Sequence, residues 1–139
     1  MTTSKKILAI DLIPQKEPFV FVDYVFDFTD KMFKSTFEVP ENHVFVEDGE
    51  LLKAGFVEVV AQSLAAGMTF FNREESPKIG FIGEVKGFKI NGKAKAKDVL
   101  DVSVEIQNEV FNVLIISGKI SIQENLIAEG VLKLVIQDQ

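Results

Sequence analysis

The stretch AGFVEVVAQSLAAGMTFF, residues 54–71, decides how this chain folds. As an α-helix it would be about 27 Å long. It would also be apolar on nearly every side, with Glu58, Gln62 and Thr69 close to one stripe. Eighteen residues is the lower edge of a membrane span, but Glu58 and Gln62 sit inside the run. An ionised Glu near mid-bilayer is costly, and the flanking sequence reads as soluble strands. A helix without a polar face must then be buried inside protein.

Working outward, the C-terminal half supplies the cover. Lys78 to Ile90, Val99 to Asn108, Phe111 to Gln123 and Leu126 to Gln137 read as four long strands. Leu100, Val102, Val104 and Ile106 alternate with Asp101, Ser103, Glu105 and Gln107, which gives one buried and one wetter face. Leu114, Ile116, Gly118, Ile120 and Ile122 continue the pattern. On the N-terminal side, Pro14 and Pro18 forbid helix after a short amphipathic lead, Lys6 to Leu12. Val20, Val22, Tyr24, Phe26 and Phe28 then form one apolar face, a turn follows at Thr29-Asp30-Lys31, and Met32 to Val39 makes a second strand. The order is two strands, one buried helix and four strands. That is a single α+β domain over residues 1–139, an antiparallel sheet wrapped around one long central helix, the hotdog pattern. The sheet can surround only part of an all-apolar helix. A homodimer is therefore expected, with paired edges and helices covering the remainder and higher assembly left open.

Composition narrows the chemistry. At 139 residues a chain can bury about two-thirds of its unfolded surface, and 47% hydrophobic content with thirteen Phe describes a globular protein. With no cysteine there is no disulfide scaffold, thiolate metal site or Cys nucleophile. A lone histidine, His43, excludes a His-rich metal site. No metal, nucleotide or flavin motif is visible, so no cofactor is expected. The net charge of −6 has the wrong sign for a general phosphate-backbone binder, so nucleic acid is not an expected partner. At the N-terminus Asp11 interrupts the apolar run before a secretory segment forms, and the reading is cytoplasmic.

Three segments in register carry a family resemblance. Ile13-Pro14-Gln15-Lys16-Glu17-Pro18-Phe19-Val20-Phe21-Val22-Asp23 resembles the LPHRxPFLLVD opening of the β-hydroxyacyl-(acyl carrier protein) dehydratases. Gly55 to Gln62, GFVEVVAQ, resembles their glycine-to-ExxAQ helix, and Phe81-Ile82-Gly83 resembles the FxG of their third strand. The loop Asn42-His43-Val44-Phe45-Val46-Glu47-Asp48-Gly49 is similar to a divergent branch, the dehydratases of aryl-polyene or flexirubin-type pigment clusters. Two departures stand out. The family's catalytic His lies in a GHFP loop fourteen residues before the helix Glu, a place held here by Val44 with His43 beside it, and the His of LPH is replaced by Gln15.

The resemblance implies dehydration of a (3R)-hydroxyacyl thioester, carried on acyl carrier protein or coenzyme A, in fatty acid or polyene biosynthesis. Such a reaction needs a base for the C2 proton, an acid for the departing hydroxyl, and donors for the enolate-like oxygen. Glu58, inside the apolar helix, is the candidate acid, and Gln62 at i+4 would orient it. His43 is the candidate base, imidazole being suited to proton transfer near neutrality. Backbone N–H groups near Gly55 and Gly83 would approach the thioester oxygen, and Gln15 is a weaker candidate for substrate contact. Lys86, Lys89, Lys93, Lys95 and Lys97 place five positive charges in twelve residues of an acidic protein. Lys86 and Lys89 are the candidates for steering an acidic carrier protein. Plainer roles stand beside each of these. Glu58 would merely satisfy a subunit partner, His43 would be a solvated loop residue, and the lysines would guard a strand edge. Two other functions compete, an acyl-thioester hydrolase using Glu58 without a histidine, and a non-catalytic acyl-thioester binding subunit.

Overall fold

The computed structural model describes residues 6–27, 29–71 and 78–138. The chain runs β1 (Ile7–Leu8), a 3₁₀ turn (Ala9–Asp11), β2 (Tyr24–Phe26), β3 (Met32–Glu38), β4 (Val46–Glu47), β5 (Glu50–Leu51) and α1 (Lys53–Phe71). It continues with β6 (Lys78–Ile90), β7 (Val99–Val110), β8 (Val113–Ile122) and β9 (Asn125–Asp138). Seven strands form one antiparallel sheet in the order β1-β2-β3-β7-β8-β9-β6, and β4 and β5 make a separate small hairpin. The sheet wraps α1, which is the expected hotdog arrangement. No described helix is long and apolar enough to cross a membrane.

The core follows from the two periodicities. Leu100, Val102 and Val104 of β7 and Leu114, Ile116 and Ile120 of β8 turn inward and are buried, as is the helix side carrying Val59, Val60 and Leu64. Glycines let helix and sheet approach closely. A Cβ on Gly67 would stand 2.1 Å from the Phe33 ring, and one on Gly118 would stand 2.6 Å from Val60.

One expected pattern is corrected. The apolar face anticipated at Val20, Val22, Tyr24, Phe26 and Phe28 does not run straight. Val20, Phe21 and Val22 are all buried, Tyr24 is 41% exposed, and Val25 points into the core. The strand begins only at Tyr24, so the preceding tripeptide is not bound to a two-residue alternation and is covered on both sides. Phe28 lies outside the described residues.

Segment 39–52 is stitched to the stretch before β7. Leu51 N–H donates to Ala94 O (2.8 Å), Ala96 N–H to Gly49 O (2.9 Å) and Lys97 N–H to Val39 O (2.6 Å). Lys93 pairs with Glu50 at 3.6 Å and Lys97 with Glu41 at 3.2 Å. Part of the lysine run thus fastens the loop that carries His43.

Candidate active site

The residues that come together do so around a backbone tripeptide, Phe19 to Phe21. Gln62 is 3% exposed and reaches it from α1. Its Oε1 accepts from Phe21 N–H at 2.7 Å, and its Nε2 donates to Phe19 O at 2.9 Å. The second Nε2 hydrogen is directed to Glu58 Oε2 at 3.2 Å, one helical turn earlier. Each polar atom of the Gln62 carboxamide therefore has a fixed partner, and the half-buried Glu58 carboxyl is oriented through one oxygen. Glu58 Oε1 has no hydrogen-bond or ion-pair partner among the described residues.

His43 approaches the same tripeptide from the loop. Its Nε2 lies 3.2 Å from Val20 O, and its Nδ1 lies 3.3 Å from Phe45 N–H. A carbonyl oxygen only accepts and a backbone N–H only donates. These two contacts fit the tautomer with the proton on Nε2 and the lone pair on Nδ1. Phe21 fixes the ring plane edge-on, centroids 4.5 Å apart. Gln62 and His43 thus share one anchor, and Glu58 is tied to it through Gln62, although 15 residues separate His43 from Glu58 in sequence.

The other candidates sit apart. Gly55 is buried, its N–H is taken by Leu52 O at 2.9 Å, and Leu51 leaves no room for a side chain. Gly83 is exposed on β6, at a break in the β6–β9 register. Gln15 is partly buried, and its Oε1 is shielded from solvent without a hydrogen-bond partner. Lys86 and Lys89 are exposed on β6 and make no ion pair with a described residue, unlike Lys93 and Lys97. A concavity of about 750 Å³, lined by Lys89, Ser103, Glu105, Lys119 and Glu129 among others, lies on the outer sheet face and includes none of the Glu58, Gln62 and His43 trio.

Sequence reasoning missed the backbone of Phe19 to Phe21 as the common anchor, since main-chain acceptors leave no trace in residue identity. It also passed over Asp23, two residues beyond that segment. Burial pushes the Asp23 carboxyl upward from the ordinary aspartate range. The Glu38 N–H donating to its Oδ2 at 2.7 Å opposes the rise, and the charges of Glu38 and Glu17 add to it.

With this geometry in place, the sequence matches the family model described as ApeP dehydratase over residues 8–139. The chain belongs to the ApeP-like dehydratase family. No curated protein sequence matches it. Among solved structures, the dehydratase heterocomplex ApeI:P from Xenorhabdus doucetiae is similar with a TM-score of 0.84 and 19% identity, over 96% of this chain and 93% of that one. Cj0977, a sigma28-regulated virulence protein from Campylobacter jejuni, has a TM-score of 0.68 at 16% identity, over 95% and 85%. A hypothetical thioesterase with coenzyme A from Streptococcus pneumoniae has 0.63 at 15%, over 94% and 92%. At these identities the likeness to the three structures is one of fold. In this ApeP-like chain, Gln62 is the helix side chain that binds the anchor segment, and Glu58 is bonded to Gln62.

Proposed function

We propose that this chain dehydrates a (3R)-hydroxyacyl thioester held on an acyl carrier protein, in the cytoplasm, within fatty acid or polyene biosynthesis. The observation that carries the reading is the Gln62 carboxamide, which is held by the Phe19 and Phe21 backbone, donates to Glu58 Oε2, and leaves Glu58 Oε1 without a partner among the described residues. In the proposed reaction the His43 Nδ1 lone pair takes the C2 proton. The Phe45 N–H contact, long at 3.3 Å, gives way to substrate, while the bond from Nε2–H to Val20 O holds the tautomer. Glu58 delivers its proton to the C3 hydroxyl, the C3–O bond breaks, and water and the 2-enoyl thioester result.

The rest of the site is assigned to a second protomer. β6, thirteen residues long, is the terminal strand of the sheet, so its outer edge is open for strand pairing. Ala61, Ala65 and Met68 of α1 pack against the core but stay partly exposed, and a partner helix is proposed to cover what remains. Pairing through β6 would bring Gly83 of one chain toward the other chain's helix as a backbone donor to the thioester oxygen. Gln15, with its unpartnered oxygen, is the proposed contact for an amide of the pantetheine arm.

Two other readings have specific support. The coenzyme A-bound thioesterase neighbour favours hydrolysis, with Glu58 activating water. The heterocomplex neighbour favours a subunit that works beside a second, different chain. Incubation with a 3-hydroxyacyl carrier protein separates them, with enoyl product and free thiol followed together. Enoyl formation supports dehydration and thiol release supports hydrolysis. Saturable binding with neither product supports the non-catalytic subunit.

A further inference from the structure

α1 is apolar on almost every side, so hydrophobic burial alone gives it little reason to prefer one rotation about its axis over another. Neighbouring residues on a helix are about 100° apart. A turn of one position would carry Gln62, and Glu58 bonded to it, away from the Phe19 to Phe21 backbone, and would disturb the close fits of Gly67 to the Phe33 ring and of Val60 to Gly118. Something other than amphipathicity must fix the rotation.

Beside those close fits, two adjacent polar residues add directed contacts from different sides. Gln62 binds the Phe19 to Phe21 backbone, as described above. Ser63, 0% exposed, meets Ser35 of β3, 1% exposed, with the two Oγ atoms 2.6 Å apart. Ser63 Oγ donates to Val59 O at 2.6 Å, so its proton is committed and Ser35 must be the donor in the serine pair. The result is a directed chain, Ser35 to Ser63 to Val59 O. It is the one side-chain hydrogen bond among the described residues that joins α1 to the sheet.

We propose that the Ser35–Ser63 pair is a positioning device that sets the rotation of α1 and thereby presents Gln62 and Glu58 to the active-site segment. This rests on the reading of Glu58 and Gln62 as site residues. Neither serine touches substrate; they act through the helix. Polar contacts of this kind inside an apolar interface contribute little net stability when fully paired, yet they discriminate between alternative packings.

The test compares Ser35→Ala, Ser63→Ala and the double variant with wild type by NMR of the Gln62 side-chain amide, by thermal melting and by steady-state kinetics. Ser63→Ala strands a buried Ser35 hydroxyl and should lower the melting temperature most. The double variant strands neither hydroxyl and should recover much of that loss. In the double variant the Gln62 amide signals are expected to move toward the positions of a free carboxamide. kcat should fall about tenfold with KM changed less than twofold, whereas Ser35→Thr alone, which keeps the donor and leaves Ser63 in place, should hold the amide signals and kcat near wild type. Gln62 signals at wild-type positions in the double variant would overturn the proposal, whatever the melting temperature does. The amide readout needs no turnover. Shifted signals in a chain without dehydratase activity would therefore uphold the serine pair and reject the catalytic reading. If the double variant fails to fold, Ser35→Ala, which leaves no donor stranded, decides by the same signals.

Discussion

On the side of α1 that meets the sheet, Val59, Val60 and Leu64 are fully buried among aliphatic side chains. On another side of the helix, Gln62 directs its carboxamide to the backbone of Phe19 and Phe21 and to Glu58. The first side is held by non-directional burial, which tolerates exchanges of similar volume. The second is held by directed bonds whose partners are left stranded if the side chain is lost. The contrast teaches that the fold and the site of this chain are separable in energy. The aliphatic side supplies buried apolar area, and the proposed chemistry rests on the three hydrogen bonds of the other.

Gln62→Leu should break that comparison most severely. It removes the partner of Phe21 N–H and Phe19 O, at about 1–3 kcal/mol for each stranded group. It also frees Glu58 to reorient, so activity should disappear along with several degrees of melting temperature. A loss of activity without any loss of stability would show that the tripeptide finds other partners. Gly67→Ala probes the opposite side. Its Cβ would stand 2.1 Å from Phe33, so the ring must shift, at a cost of about 1–3 kcal/mol. Denaturant melts should show this while kcat stays within a few-fold of wild type.

Lys86→Glu with Lys89→Glu sharpens the contrast within the lysine run, since these two make no ion pair with a described residue whereas Lys93 and Lys97 do. The double reversal should lower kcat/KM for a carrier-bound substrate about tenfold and spare a small pantetheine thioester. Equal losses for both substrates would reject carrier docking. Asp23→Asn should give the smallest effect. Burial raises the folded-state pKa of Asp23, so the folded chain binds the extra proton more readily than the unfolded one. The native Asp is therefore least favourable above that raised value, and the penalty fades as pH falls toward the ordinary aspartate range. Asn retains an acceptor for Glu38 N–H. The variant should melt a degree or two higher than wild type at neutral pH, with the difference closing as the solution is acidified. A difference that does not vary with pH would remove the electrostatic explanation.

The helix, the four long strands after it and their inward residues were legible because period 3.6 and period two leave direct marks on the order of apolar residues. Glu58 and Gln62 were legible because polar residues inside an apolar helix need a reason to be there. The phase of Val20 to Phe26 was not. An irregular tripeptide buried on both sides has the composition of a strand without its alternation. Nor was the division of the lysines, since ion pairing depends on where Glu41 and Glu50 lie after a turn. Gly55 illustrates a third kind of difficulty. Its small size was read as access for a thioester oxygen, whereas the fold uses it for close contact with Leu51 and gives its N–H to Leu52 O.

The most direct test of the central claim is the rate of enoyl formation from a 3-hydroxyacyl carrier protein by wild type and Glu58→Gln. Gln at this position still accepts the bond from Gln62, so the fold and the orientation of the side chain are retained while the transferable proton is lost. The account predicts enoyl product from wild type and a rate lower by about 10²- to 10⁴-fold in the variant. Enoyl formation by Glu58→Gln at close to the wild-type rate would contradict it.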